Sequence, residues 1–527
     1  MHQIDDHGTP SPRARPGRLV RPLTVALFAL LALDLAACGE GGGNGQAPPP
    51  ASSAGSAAPA ASAAPAVQSQ PAGLAAESAP FTAAQSQAML QTLTQSPNQG
   101  FAPGAFGDLQ QIAGLVASTD RGQATLGEQR LRAAILKYAR AQHGLGLPTD
   151  QFPKEWGIRP ARYDADLDLR TAQGAGHIED WLKSLPPPEP RYQGLIQALA
   201  AYRAIAEHGG WPSLPAHGNL KQGDGGERVA SLRARLAIED PSIGPAPPKG
   251  GFDAALAQAV ARFQTRHQLP VTGLVGPKTW IALNVPVESR IAQIRANLER
   301  WRWLPRDLPQ ARIEVDAASD TMDVYQDGKV VLHMLAASGT PDDQTPMLIS
   351  KITDIEFNPP WRVPADIAEK ELFPKQRRDP GYFAREQIIK GPSKAVPLIQ
   401  QAGPKSALGQ VKFEFDNAYG VYLHDTPARA AFDLSNRAVS HGCVRLQHAL
   451  DLAKLLLKDV PGWSPDQIDQ LVATDDTKRV NLPQTVPVML FYWTALAPDG
   501  QPVFGSDPYG WDDMVVRLLD AAGPSQA

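Results

Sequence analysis

The stretch that decides the fold runs from Tyr419 to Arg445 and reads YGVYLHDTPARAAFDLSNRAVSHGCVR. It contains one cysteine, Cys443, and two histidines, His424 and His441. A thiol is a useful nucleophile only as its thiolate. Because its ordinary pKa is about 8.5, a neighbouring imidazole is the common means of ionising it near neutral pH. The stretch therefore indicates a cysteine nucleophile, with both histidines as candidates for the base.

The first histidine follows an apolar and aromatic run, residues 420–424, that is typical of a β-strand. Alternate side chains of a strand share a face, so Tyr422 and His424 should point the same way and Asp425 should point away. We therefore expect a backbone carbonyl, rather than the Asp425 carboxylate, to fix the tautomer of His424.

The second histidine, His441, lies two residues before Cys443, with Gly442 between them. Glycine gives this segment the backbone freedom of a tight turn. We expect such a turn to leave the amides of Gly442 and Cys443 free to face an oxyanion, which is usually the largest contribution to catalysis of acyl transfer.

The segment from His424 to Arg445 resembles the active-site signature of the L,D-transpeptidases, the YkuD-type cysteine enzymes of peptidoglycan cross-linking. In that family the cysteine of a Ser/Thr-His-Gly-Cys-apolar-Arg/Asn run is the nucleophile, and the histidine upstream is the base. These roles correspond to Cys443 and His424. The resemblance implies two-step acyl transfer, in which the thiol attacks a tetrapeptide stem, expels D-alanine and passes the acyl group to the amine of a second stem.

Four further residues are candidates for substrate binding. Tyr422 shares a strand face with His424, and we place Tyr422 and Trp361 beside the substrate channel, although Trp361 could equally pack under a loop. The planar fork of Arg445 could hold the active loop or a substrate carboxylate. Ser440 occupies the Ser/Thr position of the motif.

A zinc site is the competing interpretation of the same side chains. His424, His441 and Cys443 are suitable ligand types, but a second cysteine and a familiar ligand spacing are missing. We therefore predict no metal and no cofactor.

The composition indicates a globular protein of two or three domains, with 527 residues, of which 20% are charged and 43% hydrophobic. A formal net charge of -4 argues against a nucleic-acid partner. Residues 1–38 resemble a lipoprotein signal, in which arginines precede the apolar run Leu23–Leu33 and a lipobox-like segment ends at Cys38. Asp34 is atypical there, so a plain secretory signal stays open. We expect an exported, periplasmic protein anchored to a membrane by a lipid on Cys38.

Residues 39–80 consist mainly of Ala, Pro, Ser, Gly and Gln, with almost no charged or large apolar side chains, so we expect a disordered linker. The cysteine count agrees with this arrangement. The chain has two cysteines, and a lipid on Cys38 would leave Cys443 without a disulfide partner. The alternative is a disulfide between Cys38 and Cys443.

The middle of the chain has helical periodicity. We expect a helical scaffold over residues 81–222, a small module over 223–285 and a returning scaffold helix over 286–310. The module resembles the three-helix peptidoglycan-binding module found beside many wall enzymes. The positions that carry this resemblance are Val229, Leu232, Leu236, Gly251, Phe252, Asp253, Leu256, Val260, Phe263, Gly276 and Trp280.

Alternating strand patterns begin near Ala311, and an Asp-Gly pair at 327–328 between two of them is a strong hairpin signal. We expect a catalytic domain over 311–480, with a capping segment at about 363–410 that acts as a lid or binding loop. A strand and a helix should follow over 481–527. The predicted fold class is a multidomain α+β protein with a mainly β, YkuD-like catalytic domain.

Three functional hypotheses remain open because the sequence does not fix the acyl acceptor. The first is a peptidoglycan L,D-transpeptidase, whose partners are stem peptides and, as candidates, wall-synthesis enzymes. The second uses the same Cys443 and His424 for hydrolysis or for attaching a protein to peptidoglycan. The third is a non-catalytic wall-binding anchor.

Overall fold

The computed structural model describes residues 79–215, 218–244 and 250–523. The predicted signal with its lipobox, and the predicted linker up to residue 78, lie outside the described residues. Within the described ranges, none of the helices combines the length and the apolar character that crossing a membrane requires.

The helical scaffold begins with six α-helices. Their bounds are α1 Ala83–Thr94, α2 Leu109–Val116, α3 Arg121–Gln142, α4 Ala165–Ala175, α5 Ile178–Ser184 and α6 Pro190–Glu207. The longest, α3, starts where the Asp120 side chain accepts a hydrogen bond from the Gln123 amide. It buries Leu131, Ile135 and Tyr138 on one face, at the spacing of successive helical turns.

Three more helices form the small module, and a fourth returns to the scaffold. Their bounds are α7 Glu227–Glu239, α8 Ala254–Arg266, α9 Pro277–Leu283 and α10 Val287–Arg302. The module has its own core, in which Leu232, Leu256 and Phe263 are fully buried. The expected three-helix module is confirmed, and α10 packs between α6 and the end of the chain.

The remaining elements belong to the β-rich part of the chain. The strands are β1 Arg312–Asp316, β2 Thr321–Gln326, β3 Lys329–Ala337, β4 Leu348–Phe357, β5 Trp361–Val363, β6 Ile388–Lys390, β7 Leu398–Gln400, β8 Val411–Phe415, β9 Leu423–His424, β10 Val444–Leu446, β11 Lys478–Phe491, β12 Ala495–Leu496 and β13 Val503–Phe504. The helices are α11 Ala365–Ile367, α12 Phe373–Arg378, α13 Tyr382–Arg385, α14 Ala449–Leu457, α15 Pro465–Val472 and α16 Trp511–Ala521.

Eight of the strands close into a barrel in the order β1-β11-β4-β8-β9-β10-β3-β2. The predicted hairpin joins β2 to β3, and both turn residues, Asp327 and Gly328, have positive φ as a two-residue turn of this type requires. The apolar strand β11 lies between β1 and β4, which explains its hydrophobicity. Leu423 of β9 and Val444 of β10 are fully buried in the barrel core.

The capping segment folds into a subdomain with a sheet and a core of its own. Strands β5, β7 and β6 form a small antiparallel sheet, and α11 to α13 cover it together with a π-helical turn at Ala368–Leu372. This subdomain has a separate core that includes Val363, Leu372, Ile388 and Leu398. The sequence-based interpretation as a polar lid missed that core because its apolar residues are widely spaced.

The end of the chain packs on the scaffold helix α10. Arg300 of α10 is completely buried, and its Nη1 donates to Asp512 Oδ1 of α16 at 2.6 Å and to Thr494 Oγ1 at 3.2 Å. Trp511 packs against Trp156 and Tyr492, at ring-centroid distances of 5.4 and 4.7 Å. The C-terminal segment therefore joins the scaffold to the barrel.

Removing the carboxylate of Asp512 should strongly destabilise the protein, because it leaves the buried Arg300 charge unpaired. For Asp512→Ala we expect a loss of about 3–5 kcal/mol in the free energy of unfolding, measured by urea denaturation. The matched control is the exposed neighbour Asp513, whose replacement by alanine should cost less than about 1 kcal/mol. Equal losses in the two variants would contradict this interpretation of the ion pair.

Candidate active site

The candidate catalytic residues meet where β9 pairs with β10. The pairing is parallel, with Leu423 opposite Val444 and His424 opposite Arg445. Because Leu423 and Val444 face the barrel core, their neighbours His424 and Cys443 project from the other side of the sheet. The same register places Cys443 opposite Tyr422. Tyr422 precedes His424 by two residues and therefore lies on the same face of the sheet as His424. Cys443 directly precedes β10, so the sulfur and the imidazole share one face of the sheet.

The tautomer of His424 is fixed by a backbone carbonyl, as predicted. Its Nδ1–H donates to the carbonyl oxygen of Asp425 at 2.5 Å, which leaves Nε2 as the basic nitrogen. The carboxylate of Asp425 points away and accepts hydrogen bonds from Arg429 Nη2 at 2.6 Å and the Gln410 amide at 2.9 Å. Asp425 therefore orients His424 through its main chain and anchors nearby loops through its side chain.

Burial determines the charge state of the pair. It raises the pKa of the Cys443 thiol to about 11, although hydrogen bonds from Tyr422 oppose the shift. Burial, followed by the positive charge of Arg445, lowers the pKa of His424 to about 3. Both shifts favour a neutral thiol beside a neutral imidazole, although the Cys443 side chain itself is only half-buried.

The nucleophile turn, which carries the candidate nucleophile Cys443, is held by hydrogen bonds within the turn. Gly442 has φ of 100°, a conformation that favours glycine, as predicted for a tight turn. The buried Ser440 hydroxyl donates to the Cys443 carbonyl at 2.5 Å and accepts from the Gly442 amide at 3.1 Å. The expectation that both amides are free is therefore wrong for Gly442, whose N–H is already engaged by Ser440.

His441 is bound to the capping subdomain. It is exposed, and its Nε2 lies 2.5 Å from Oε1 of Glu371, a residue of the π-helical turn. Burial raises the pKa of the Glu371 carboxyl, but the hydrogen bond and charge of His441, and Lys375 nearby, outweigh it and lower the pKa overall. His441 thus joins the nucleophile turn to the cap, a contact that sequence reasoning missed.

A cavity of about 570 Å³ opens between the cap and the barrel face. Cys443, His424 and Tyr422 line it from the barrel, and Trp361 of β5 lines it from the cap. The Tyr422 and His424 rings lie 5.6 Å apart between centroids. Burial and the adjacent Cys443 sulfur raise the pKa of the Tyr422 hydroxyl, while a hydrogen bond with Trp361 opposes the shift. All four side chains therefore face one space.

Arg445 lines the same cavity with a donor still available. Its Nε is buried and hydrogen-bonds to none of the described residues. Burial lowers the pKa of its guanidinium, and Cys443 and Glu371 oppose that shift. A buried donor without a partner costs free energy, so this nitrogen keeps a hydrogen-bonding capacity that the described residues do not use.

The site also depends on residues that the sequence interpretation overlooked. Lys412 of β8 pairs with His424 in register, and its Nζ lies 3.9 Å from the centroid of the Tyr422 ring. Thr345 and Tyr509 form hydrogen bonds around the nucleophile turn. The alternation of Val411, Lys412 and Phe413 could have placed Lys412 on this face, whereas no local signal marks Tyr509.

Three family models match consecutive parts of the chain. Residues 310–479 match the L,D-transpeptidase catalytic domain (YkuD), and residues 225–283 match a domain described as "Putative peptidoglycan binding domain". Residues 78–199 match the scaffold domain. The resemblance stated from the sequence is therefore confirmed in all three of its parts.

Individual relatives agree with these models. A protein from Haemophilus influenzae named "Putative L,D-transpeptidase" is 32% identical over 246 residues, which are 43% of this chain and 50% of that protein. The chain thus spans about half the length of this curated relative. An L,D-transpeptidase structure from Mycobacterium smegmatis has 18% identity and a TM-score of 0.19, over 34% of this chain and 58% of that one. An L,D-transpeptidase structure from Xylanimonas cellulosilytica also has 18% identity and a TM-score of 0.19, over 53% of this chain and 99% of that one. Both structural likenesses are weak, so the assignment rests on the family models.

The neutral state of the pair can be tested by thiolate absorbance. Because the thiol pKa is raised to about 11, the difference spectrum between the native protein and Cys443→Ser should show no thiolate between about pH 5 and pH 9. A free cysteine in solution, titrating near its ordinary pKa of about 8.5, is the control. A thiolate band already present near pH 6 would instead indicate an ion pair with His424.

Proposed function

We propose that this chain, which carries an L,D-transpeptidase catalytic domain, cross-links peptidoglycan by cysteine acyl transfer from one stem peptide to another. The observation that carries the proposal is that His424 of β9 and Cys443, which directly precedes β10, line one cavity, with Nδ1 of His424 held by a carbonyl. This arrangement supplies a nucleophile and an oriented base.

The first step is acylation of Cys443. Since the resting pair is neutral, His424 Nε2 takes the thiol proton as the sulfur attacks the stem carbonyl, rather than beforehand. A carbon–sulfur bond forms and the carbonyl oxygen becomes an oxyanion. When the oxyanion collapses, the bond to the D-alanine nitrogen breaks, and His424 returns its proton to that amine. A thioester on Cys443 remains.

The second step transfers the acyl group. The amine of a second stem attacks the thioester carbonyl, and His424 takes a proton from that amine. Collapse breaks the carbon–sulfur bond, and the proton returns to Cys443 as the new amide forms. The cap walls one side of the cavity, and we propose that this wall favours an amine over water as the acceptor by limiting the access of water.

We assign the surrounding residues to binding the stem peptide or to holding the turn. Arg445, with a buried donor free of other partners, is suited to a carboxylate of the stem. Tyr422 and Trp361 form the aromatic wall against which the stem packs. His441 and Ser440 hold the turn, His441 through Glu371 and Ser440 through two backbone groups of the turn itself.

The peptidoglycan-binding match at 225–283 supports peptidoglycan as the partner. We further propose that the protein is exported to the periplasm and tethered by a lipid on Cys38, with residues 39–80 as the linker. Mass spectrometry of the membrane-extracted protein tests this proposal. A diacylglyceryl thioether on Cys38 is expected, whereas an unmodified Cys38 would contradict the lipid anchor.

The proposed reaction predicts the phenotypes of two variants. Cys443→Ala should form no covalent carbapenem adduct and no stem dimers from tetrapeptide muropeptides, and His424→Ala should slow acylation by about 100- to 10,000-fold because the base is lost. Intact-protein mass spectrometry and chromatography of the muropeptides provide the measurements.

The matched control is His333→Ala, which removes an exposed histidine of β3 whose ring contacts Asp323; its rates should be unchanged. Shortened monomers in place of dimers would reassign the chain to hydrolysis. A folded native protein that forms no adduct at all would exclude an acyl-enzyme.

A further inference from the structure

We propose that Thr345, supported by Tyr509, is a positioning residue for acyl transfer: it fixes the direction of the Cys443 N–H so that this amide stabilises the oxyanion. The proposal rests on the function proposed above and deepens it. It assigns a role to a threonine outside the motif and to a C-terminal segment that has no chemistry of its own.

Thr345 connects the nucleophile turn to the loop after β3. It is 1% exposed, and its hydroxyl accepts a hydrogen bond from the Gly339 amide at 2.8 Å and donates to the Gly442 carbonyl at 2.8 Å. Gly339 has no room for a side chain, because a Cβ there would collide with the Asp343 carbonyl. The hydroxyl is therefore held at a defined point under the turn.

This contact controls the amide of the nucleophile itself. The Gly442 carbonyl and the Cys443 N–H belong to one peptide unit, and in a planar trans peptide they point in opposite directions. Fixing the carbonyl on Thr345 therefore fixes where the N–H points. The Gly442 amide is engaged by Ser440, whereas the Cys443 amide donates to none of the described residues and is therefore a donor of the turn that remains for an oxyanion.

Tyr509 holds Thr345 in place from the C-terminal segment. Its hydroxyl accepts from the Thr345 amide at 3.1 Å and donates to the Gly339 carbonyl at 3.0 Å. Its ring stacks on Tyr492, 5.0 Å away between centroids. One phenol thus joins both ends of the loop that contacts Gly442.

The scaffold supports the same loop from the other side. The Met347 amide donates to the Glu155 carbonyl at 2.8 Å, and the Gly157 amide donates to the Met347 carbonyl at 2.8 Å. Tyr419, which lines the cavity, donates its hydroxyl to the Lys154 carbonyl at 2.7 Å. The loop is consequently held between the scaffold and the C-terminal segment, and Thr345 transmits that rigidity to the turn.

The test compares two reactions of Cys443 in the full-length chain. Acylation by a carbapenem passes through an oxyanion, whereas alkylation by iodoacetamide displaces iodide from a saturated carbon and forms none. A defect in the oxyanion donor should slow the first reaction only. Thr345→Val keeps the shape of the side chain and removes the hydroxyl, Thr345→Ser restores a hydroxyl, and Tyr509→Phe removes only the phenol oxygen.

We expect Thr345→Val to slow acylation by at least about tenfold. The loss of a whole oxyanion donor slows a reaction by roughly 100- to 1,000-fold, and this sets the upper limit of the effect. Alkylation should change by less than about twofold, and Thr345→Ser should recover most of the acylation rate. Tyr509→Phe should slow acylation by about three- to tenfold, in line with the loss of a single supporting hydrogen bond. Circular dichroism and thermal melting confirm that each variant is folded.

Each outcome decides between alternatives. Equal slowing of both reactions in folded variants would assign Thr345 to general packing and overturn the proposal, as would an unchanged acylation rate. If Thr345→Val does not fold, the comparison of the two reactions in Tyr509→Phe decides in the same way. If the native protein itself is not acylated, the proposed function is contradicted. If the native protein is acylated and the Thr345 variant reacts at the same rate, only the role of Thr345 is contradicted.

Discussion

The pairing of two very short strands, β9 and β10, is the contact on which the site depends. Only Leu423 and His424 of β9 pair with Val444 and Arg445 of β10. The two apolar members enter the barrel core, and this burial forces the alternate residues onto the opposite face. A slip of one residue would turn the imidazole into the core. The burial of two aliphatic side chains therefore fixes the relation between nucleophile and base.

Burial determines which charge states of Cys443 and His424 are favoured. Burial disfavours the charged forms of both the Cys443 thiol and the His424 imidazole, and so raises the pKa of the first and lowers the pKa of the second. In the acyl transfer proposed above, the thiol loses its proton only as it attacks, so stabilising the oxyanion becomes the main demand on the site. Rigid backbone donors consequently matter more here than in a site with a preformed thiolate.

That rigidity comes from parts of the chain that carry no catalytic side chain. The scaffold pairs with Met347 through Glu155 and Gly157, and the C-terminal segment contributes Tyr509. The buried Arg300–Asp512 pair holds this segment against α10. The domains around the barrel therefore form part of the support of the nucleophile turn, in addition to any binding role of the module.

The sequence by itself determined the motif, the strand alternation that places Tyr422 with His424, the hairpin at Asp327 and Gly328, and the three-helix module. These features are local, because each follows from the periodicity or backbone preference of neighbouring residues. Only the tertiary structure decided the protonation state of the pair, the engagement of the Gly442 amide, the contact of His441 with Glu371 and the place of Tyr509. Those properties depend on burial and on partners up to 170 positions away. No local pattern encodes such distant contacts, so they become visible only once the chain has folded.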